Sequence, residues 1–242
     1  ARGAELSPEL GAAGAYDPGR VPVLRGAGKG FSAGYDLGSN NLAAQPWHTA
    51  GGDGNWPRHV VEGHFRVWDL RKPVIAQVHG YCLGGALALM NSHDLVIASK
   101  DAQIGMPEIL RGSFGQMATS TLFHSGIALK KAALIQLLGR NISGAEADQL
   151  GLVSMAVEAG ELESVTLKLA QEIASRHPAV LSSAKIAVQM GRNLSLPDVM
   201  RLDQLVASRQ RLMVDPLGKV DEYLSSQKGG PNVNYRRSDA KS

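Results

Sequence analysis

Short apolar runs recur along the chain as far as residue 157, and longer amphipathic stretches lie between them. Runs of Val, Ile, Leu and Ala bounded by glycine or polar residues are typical of buried strands, whereas apolar positions spaced three and four apart are typical of helices. Strands are predicted over residues 21–24, 74–78, 95–98, 103–105 and 152–157. Helices are predicted over residues 58–70, 86–90 and 144–150, with at least one more within 116–138. This order of elements predicts an α/β fold.

Beyond residue 157 the pattern becomes entirely helical. Helices are predicted over residues 161–176, 178–191 and 197–213, and Asp215-Pro216 opens a last helix that reaches to about residue 227. The chain therefore divides into an α/β part, which we place at residues 1–190, and a helical C-terminal part with a polar tail, at residues 191–242.

Two glycine-rich segments follow predicted strands and are candidates for chemistry. Residues 31–37 read FSAGYDL, and residues 79–86 read HGYCLGGA at a corner between a strand and a buried helix. Such a corner aims backbone N–H groups at one spot, which attracts negative charge. Two of them facing each other would supply a pair of donors for an oxyanion. Ordinary tight turns explain the same glycines, so both interpretations stay open at this point.

A third glycine cluster, GAGKG at residues 26–30, suggests a phosphate-binding loop at first sight. It lacks the four-residue spacer of the Walker sequence, and Phe31 stands where the dinucleotide fingerprint needs its third glycine. We therefore set a nucleotide-phosphate site aside.

Composition excludes several classes of protein. Of the 242 residues, 44% are apolar and 19% are charged, which is typical of a globular protein and not of a disordered one. No run reaches the roughly 18 apolar residues of a membrane span. The net charge of +3, without a block of Lys or Arg and with 5% aromatic residues, gives no sign of nucleic-acid binding. The single cysteine, Cys82, excludes an internal disulfide and a cysteine-based zinc site, and favours a cytoplasmic location. We expect Cys82 to be a packed residue and not a nucleophile.

The glycine-rich segments also carry a resemblance to a known family. In order along the chain these are GFSAGYDL at residues 30–37, KPVIAQVHGYCLGG at 72–85, DLVIA at 94–98, QIGMPE at 103–108, and GRNISGAEA at 139–147 followed by GLV at 151–153. Their order and spacing resemble those of the enoyl-CoA hydratase/isomerase, or crotonase, superfamily. Over residues 1–190 the resemblance implies a spiral of ββα units, and over residues 191–242 a helical trimerisation region. It also implies a homotrimer or a dimer of trimers, an acyl-CoA substrate, no metal, and no cofactor apart from the coenzyme A of the substrate.

The resemblance further assigns roles to individual residues. It implies that the backbone N–H groups of Tyr35 and Gly85 form an oxyanion hole for the thioester carbonyl. The implied substrate-binding residues are Ala33, Asp36, Leu37, Leu83, Gly84 and Pro107. Tyr223 and Lys228 stand where relatives contact coenzyme A.

The catalytic carboxylates set this sequence apart from the family's hydratases. Those enzymes place one glutamate three residues after the oxyanion glycine and a second one twenty residues later. Here the first position is Ala88 and the second is Glu108. A single acid can take a proton from one carbon and return it to another, whereas adding water is helped by two groups. We therefore expect isomerase-type chemistry with Glu108 as the general acid/base.

Three alternatives stay open at the level of the sequence. The first is a hydratase, or a hydratase-lyase or hydrolase, with a substitute second group, for which the candidates are His48, Asp53, His59, His64 and His124. The second is an inactive acyl-CoA-binding homologue, and the third is an RNA-binding one. Trp47 and Trp56 lie in the long polar loop of residues 38–59 and could form a lid or a pocket wall.

Overall fold

The computed structural model describes residues 20–35 and 55–213. Strands and helices alternate as far as Val157, and helices follow. The strands are β1 (Val23–Arg25), β2 (Ile75–Val78), β3 (Tyr81–Leu83), β4 (Leu95–Ser99), β5 (Gln103–Gly105), β6 (Ile142–Ser143) and β7 (Met155–Val157). The helices are α1 (Asn55–Trp68), α2 (Gly85–Asn91), α3 (Gln116–His124), α4 (Leu129–Leu138), α5 (Gly144–Gln149), α6 (Leu162–Ala174), α7 (Pro178–Gly191) and α8 (Leu196–Met213). Short 3-10 helices span Pro107–Arg111 and Ala159–Glu161.

A four-stranded parallel sheet forms the first layer, in the order β1-β2-β4-β7. The central strand β2 pairs Ile75 with Val23 on one side and with Leu95 on the other. All four β2 residues are buried, because neighbouring strands cover both edges and packed elements cover both faces. This burial explains the continuous apolar character from which the strand was predicted. The predicted α/β fold is confirmed, and the large sheet is parallel throughout.

A smaller sheet has the strand order β3-β5-β6. Its strands β3 and β5 follow directly after β2 and β4 of the first sheet. Strand β3 pairs in parallel with β5, and β5 pairs antiparallel with β6. Ser32 bridges to Cys82, so the first glycine-rich segment runs beside β3. The sequence predicted a glycine turn leading directly into a helix at residues 79–85. That prediction was wrong in detail, because the three-residue strand β3 intervenes and is too short to show alternation.

The core consists of two main clusters on opposite faces of the large sheet. The larger joins side chains of the sheets to helix α2, among them Val78, Cys82, Leu87 and Met90. The other packs Ile75 and Ile97 against Leu162 and its neighbours on α6. Helix α2 therefore packs its buried side chains into the larger cluster, and its first residues follow directly after strand β3 of the small sheet.

Two helix boundaries follow directly from local chemistry. The Ser143 hydroxyl accepts a hydrogen bond from the Glu146 backbone N–H, and the Glu146 carboxylate accepts one from the Ser143 N–H, so the predicted capping box is confirmed. The predicted helix within residues 116–138 is two helices, α3 and α4. They separate at Ser125–Ala128, where Gly126 has φ of +96°.

The chain divides into two compact units, one ending at Lys185 and the other beginning at Ile186. In the second unit, the described residues 186–213 are helical apart from the turn at 192–195. The division proposed from sequence, after residue 190, stays a prediction. Within the described ranges, no helix is both long enough and apolar enough to cross a lipid bilayer.

Candidate active site

The two glycine-rich segments predicted to face each other come into close contact. The Leu83 N–H donates to the Ser32 carbonyl at 3.1 Å, and the Ser32 N–H donates to the Tyr81 carbonyl at 3.0 Å. Gly34 has φ of +90°, and a β-carbon built on it would lie 2.8 Å from the Leu83 carbonyl oxygen and 3.2 Å from the Gly85 nitrogen. Glycine is therefore required at position 34, both for its conformation and for the approach of the two backbones.

Gly84 and Gly85 form the corner that opens helix α2. The Gly84 N–H donates to the Gly105 carbonyl at 2.9 Å, and Gly84 takes φ of +60°. Gly85 is the first residue of the helix, so no carbonyl group of the helix accepts a hydrogen bond from its N–H. The corner thus presents a backbone donor beside the loop that carries Tyr35.

Glu108 reaches this corner from a separate element. It stands in the first turn of the 3-10 helix, after the fully buried Met106 and after Pro107, which fixes the entry of the chain. A β-carbon built on Gly84 would lie 2.6 Å from Glu108 Oε1, and one built on Gly115 would lie 3.2 Å from Glu108 Cδ. The carboxylate therefore occupies the space that two glycines leave free.

One oxygen of this carboxylate is buried without a partner. Within the described part of the chain, Glu108 Oε2 accepts no hydrogen bond although almost none of its surface is exposed. A buried carboxylate oxygen without a donor is costly, and native proteins rarely keep one without a reason. This oxygen can therefore accept a proton or a hydrogen bond that no described residue supplies.

The Tyr35 side chain completes the described site. A β-carbon built on Gly85 would lie 2.7 Å from Tyr35 Cζ and 2.9 Å from Cδ2, so the ring packs directly against the first residue of α2. The ring is 42% exposed. Burial of the phenol, together with the nearby negative charge of Glu108, raises the pKa of Tyr35 to about 12.

Sequence reasoning assigned a role only to the Tyr35 backbone N–H and missed its side chain. The signal that could have found it is Gly85. Space beside a helix residue without a side chain has to be filled by a neighbour, and the tyrosine on the facing loop is large enough to fill it.

Position 88 carries no acid and lies in the core. Ala88 is on α2, three residues after Gly85 and on the same helix face, and it is completely buried in the larger cluster. Of the substitutes considered from sequence, His64 lies within electrostatic range of His93. His124 is an exposed residue at the end of α3. His48 and Asp53 lie outside the described residues, as does the side chain of His59.

The remaining predicted site residues divide into two groups. Ala33 is exposed in the first loop, Leu83 ends strand β3, and Pro107 precedes Glu108. The structure thus gathers Ala33, Leu83, Gly84 and Pro107 around the corner with Tyr35, Gly85 and Glu108. Asp36, Leu37, Trp47, Tyr223 and Lys228 lie outside the described residues, as does the side chain of Trp56. Their roles stay predictions.

Cys82 lies under the corner and is a packed core residue, as expected. It is completely buried, its Sγ contacts Met90 Sδ at 3.8 Å, and burial raises the pKa of its thiol. Among the described residues, no three His, Cys, Asp or Glu side chains are grouped to hold a metal ion.

A cavity of about 570 Å³ lies away from this corner, at the carboxyl ends of β1, β2 and β4. Its lining includes Arg25, Lys29, Gln77, His79, Ser99 and Glu163. It includes neither Tyr35 nor Glu108, so it is separate from the corner that brings the predicted groups together.

Comparison with known proteins gives a consistent result. The sequence pattern of the enoyl-CoA hydratase/isomerase family matches residues 13–211. A probable enoyl-CoA hydratase of Rhizobium meliloti is 35% identical, over 75% of this chain and 68% of the relative. A hexahydroindene-carboxyl-CoA hydrolase of Mycobacterium tuberculosis is 30% identical, over 76% of this chain and 72% of the relative.

Solved structures agree with the fold. The crystal structure of an enoyl-CoA hydratase from Bacillus anthracis superposes with a TM-score of 0.80 at 26% identity, and covers 93% of this chain and 85% of that one. The crotonase-like fold predicted from the sequence is thereby confirmed.

Proposed function

Because the chain belongs to the enoyl-CoA hydratase/isomerase family, we propose that it acts on an acyl-CoA thioester through an enolate, with Glu108 as the single general acid/base. The observation that carries this proposal is the Glu108 carboxylate. It lies against Gly84 with a buried oxygen that no described donor reaches. A proton-accepting group beside a backbone N–H donor is what enolate formation needs.

The reaction we favour is the transfer of a proton along the acyl chain. Glu108 takes a proton from the carbon next to the thioester: the C–H bond breaks, an O–H bond forms, and the electron pair moves towards the thioester oxygen. The N–H groups of Tyr35 and Gly85 stabilise that charge, and losing one such donor typically costs 10²–10³ in kcat. Glu108 then returns the proton to the carbon two positions further along, which shifts the double bond.

Ala88 supports isomerisation over hydration. Its methyl group is completely buried, and neither it nor its place in the core provides a second carboxylate to orient water. A hydratase or a hydrolase is the second candidate, because relatives at 35% and 30% identity carry those names. Such a reaction would need another group to orient water.

A panel of CoA thioesters separates these reactions. The purified chain is incubated with 2-enoyl-, 3-enoyl- and saturated acyl-CoAs, and the products are read by mass spectrometry in D₂O. An isomerase exchanges 3-enoyl with 2-enoyl thioesters and incorporates deuterium, a hydratase adds one water, and a hydrolase releases free coenzyme A. Hydration or hydrolysis faster than isomerisation would contradict the reaction we favour.

The role of Glu108 is tested by Glu108→Gln. We expect kcat to fall by about 10²–10⁴ because the base is lost, with KM changed only a few-fold because binding is retained. Glu158→Gln is the matched control, since that acid is exposed and pairs with Lys100 at the surface. Unchanged kcat in Glu108→Gln would remove this residue from the mechanism.

We also propose from the family that the chain assembles as a homotrimer or a dimer of trimers, and from its single cysteine that it works in the cytoplasm. Exposed apolar side chains on α4, namely Leu129, Leu134 and Leu137, support an assembly that covers them. Light scattering on the purified protein tests this, and a monomer at micromolar concentration would contradict it.

A further inference from the structure

We propose that the phenol hydroxyl of Tyr35 is a second catalytic group, which donates a hydrogen bond to the thioester oxygen as the enolate forms. This inference rests on the proposed function. It assigns a task to a side chain whose residue had been given a role only through its backbone.

The first argument is position. The Tyr35 ring lies against Gly85, and the Glu108 carboxylate lies against Gly84. Each group fills the space where a side chain of the neighbouring glycine would lie, and the two glycines are consecutive. The Tyr35 hydroxyl is one bond beyond Cζ, the ring atom that lies 2.7 Å from the β-carbon built on Gly85. The ring edge that carries the hydroxyl therefore lies against Gly85, the residue whose N–H is to hold the thioester oxygen.

The second argument is chemical complementarity. The only buried, partnerless oxygen of the described corner is an acceptor, on Glu108, and a carboxylate that removes a proton cannot also donate to the charge it creates. A neutral phenol can donate. Burial and the Glu108 charge hold the pKa of Tyr35 near 12, so the phenol keeps its proton throughout the neutral range and does not compete as a base.

The two groups then divide one reaction between them. Glu108 breaks the C–H bond and carries the proton to its new carbon, while Tyr35 donates a hydrogen bond to the negative oxygen and keeps its own proton. A carboxylate base paired with a neutral donor to the enolate oxygen is sufficient for moving a proton along a chain. No water molecule has to be oriented, in keeping with Ala88.

The test measures enolate formation itself. Exchange of the C2 hydrogens of butyryl-CoA in D₂O is followed by mass spectrometry, and the Kd for butyryl-CoA is measured separately by calorimetry. In Tyr35→Phe we expect exchange about 10²-fold slower, with Kd within threefold of the original, because the donor acts on the charged oxygen and not on the bound ground state. The matched control is Tyr81→Phe, since Tyr81 is a partly exposed tyrosine of β3 that lies against Gly30 and not against Gly85.

Two further variants separate the hydroxyl from the ring. Tyr35→Gln restores an N–H donor without an aromatic ring, and Tyr35→Met restores only bulk. We expect exchange in Tyr35→Gln to exceed that in Tyr35→Met by about tenfold, and this comparison also decides the question if Tyr35→Phe fails to fold.

The outcomes that overturn the proposal are distinct from a failure of the proposed function. Exchange in Tyr35→Phe at the original rate, or equal rates in Tyr35→Gln and Tyr35→Met, would show that only the bulk of the side chain matters. If the unaltered protein neither binds butyryl-CoA nor exchanges its C2 hydrogens, the proposed function itself fails.

Discussion

Two regions of the first unit that bury a carboxylate differ in how they satisfy its oxygens. At the Gly84 corner, Glu108 Oε2 is buried and accepts no hydrogen bond from the described residues. At the start of β4, Asp94 is also mostly buried, but its Oδ2 accepts from Lys185 Nζ at 2.8 Å and from the Val74 N–H at 2.7 Å. Lys185 Nζ also donates to the Lys72 carbonyl at 3.1 Å.

The difference separates a group kept for chemistry from groups kept for structure. The Asp94 cluster ties Lys185, at the end of the first unit, to the start of β4, and Asp94 Oδ2 accepts two hydrogen bonds there. The Glu108 carboxylate is left available, at a cost that the rest of the fold has to offset. Substitution in the Asp94 cluster should therefore change stability, and substitution at the Gly84 corner should change turnover.

The largest expected effect is on the Asp94 cluster. In Lys185→Met the ammonium is lost and the Asp94 charge stays buried without its partner, so we expect the free energy of unfolding to fall by about 3–5 kcal/mol. Urea denaturation followed by circular dichroism measures this. Arg201→Met, which breaks an exposed pair with Asp198, is the control and should cost less than about 1 kcal/mol. Equal losses in the two variants would erase the distinction between the regions.

The next effect concerns pH. His93 is buried beside Lys185 and His64, its Nδ1 lies 2.8 Å from the Leu89 carbonyl, and burial lowers its pKa to about 4. Because the unfolded chain binds this proton more readily, the stability that the neutral ring provides is complete above pH 6.5. It is lost as pH falls from 6.5 towards 4, by up to about 3 kcal/mol.

His93→Asn removes the titration while an amide N–H can still reach the Leu89 carbonyl. We expect its unfolding free energy to depend less steeply on pH between 6.5 and 4 than that of the unaltered protein. Parallel curves over this range would show that His93 does not carry the acid sensitivity.

The smallest expected effect on stability concerns Gly84→Ala. A methyl group would meet Glu108 Oε1, and φ of +60° disfavours any residue with a β-carbon, so we expect a loss of about 1–2 kcal/mol. Turnover should fall further than stability, because the carboxylate must move. Gly112→Ala is the control, since Gly112 also has positive φ but no atom lies within 4 Å of the place its β-carbon would take. If both variants keep full activity, the contact between Gly84 and Glu108 is irrelevant to turnover.

Much of the fold could be predicted because its signals are local. Buried strands such as β2 are continuous apolar runs, and the capping-box sequence at Ser143 marks the first residue of a helix. Strand β3 was missed because three residues cannot show a period. The 3-10 helix at Pro107 was missed because a turn would have the same sequence pattern. Of the site, the motifs identified Glu108 and the two loops. They did not identify the Tyr35 side chain, because its position depends on the empty space at Gly85, which is a property of two segments fifty residues apart.

Cys82 gives the molecule a built-in reporter. It is the single thiol of the chain, it lies on β3 where that strand bridges to Ser32 of the first glycine-rich segment, and no solvent reaches it in the folded state. An alkylating reagent can therefore modify it only when this strand opens, and the labelling rate measures how often the corner comes apart. A ligand that holds the two loops together should slow that rate, so binding can be detected without any knowledge of the reaction.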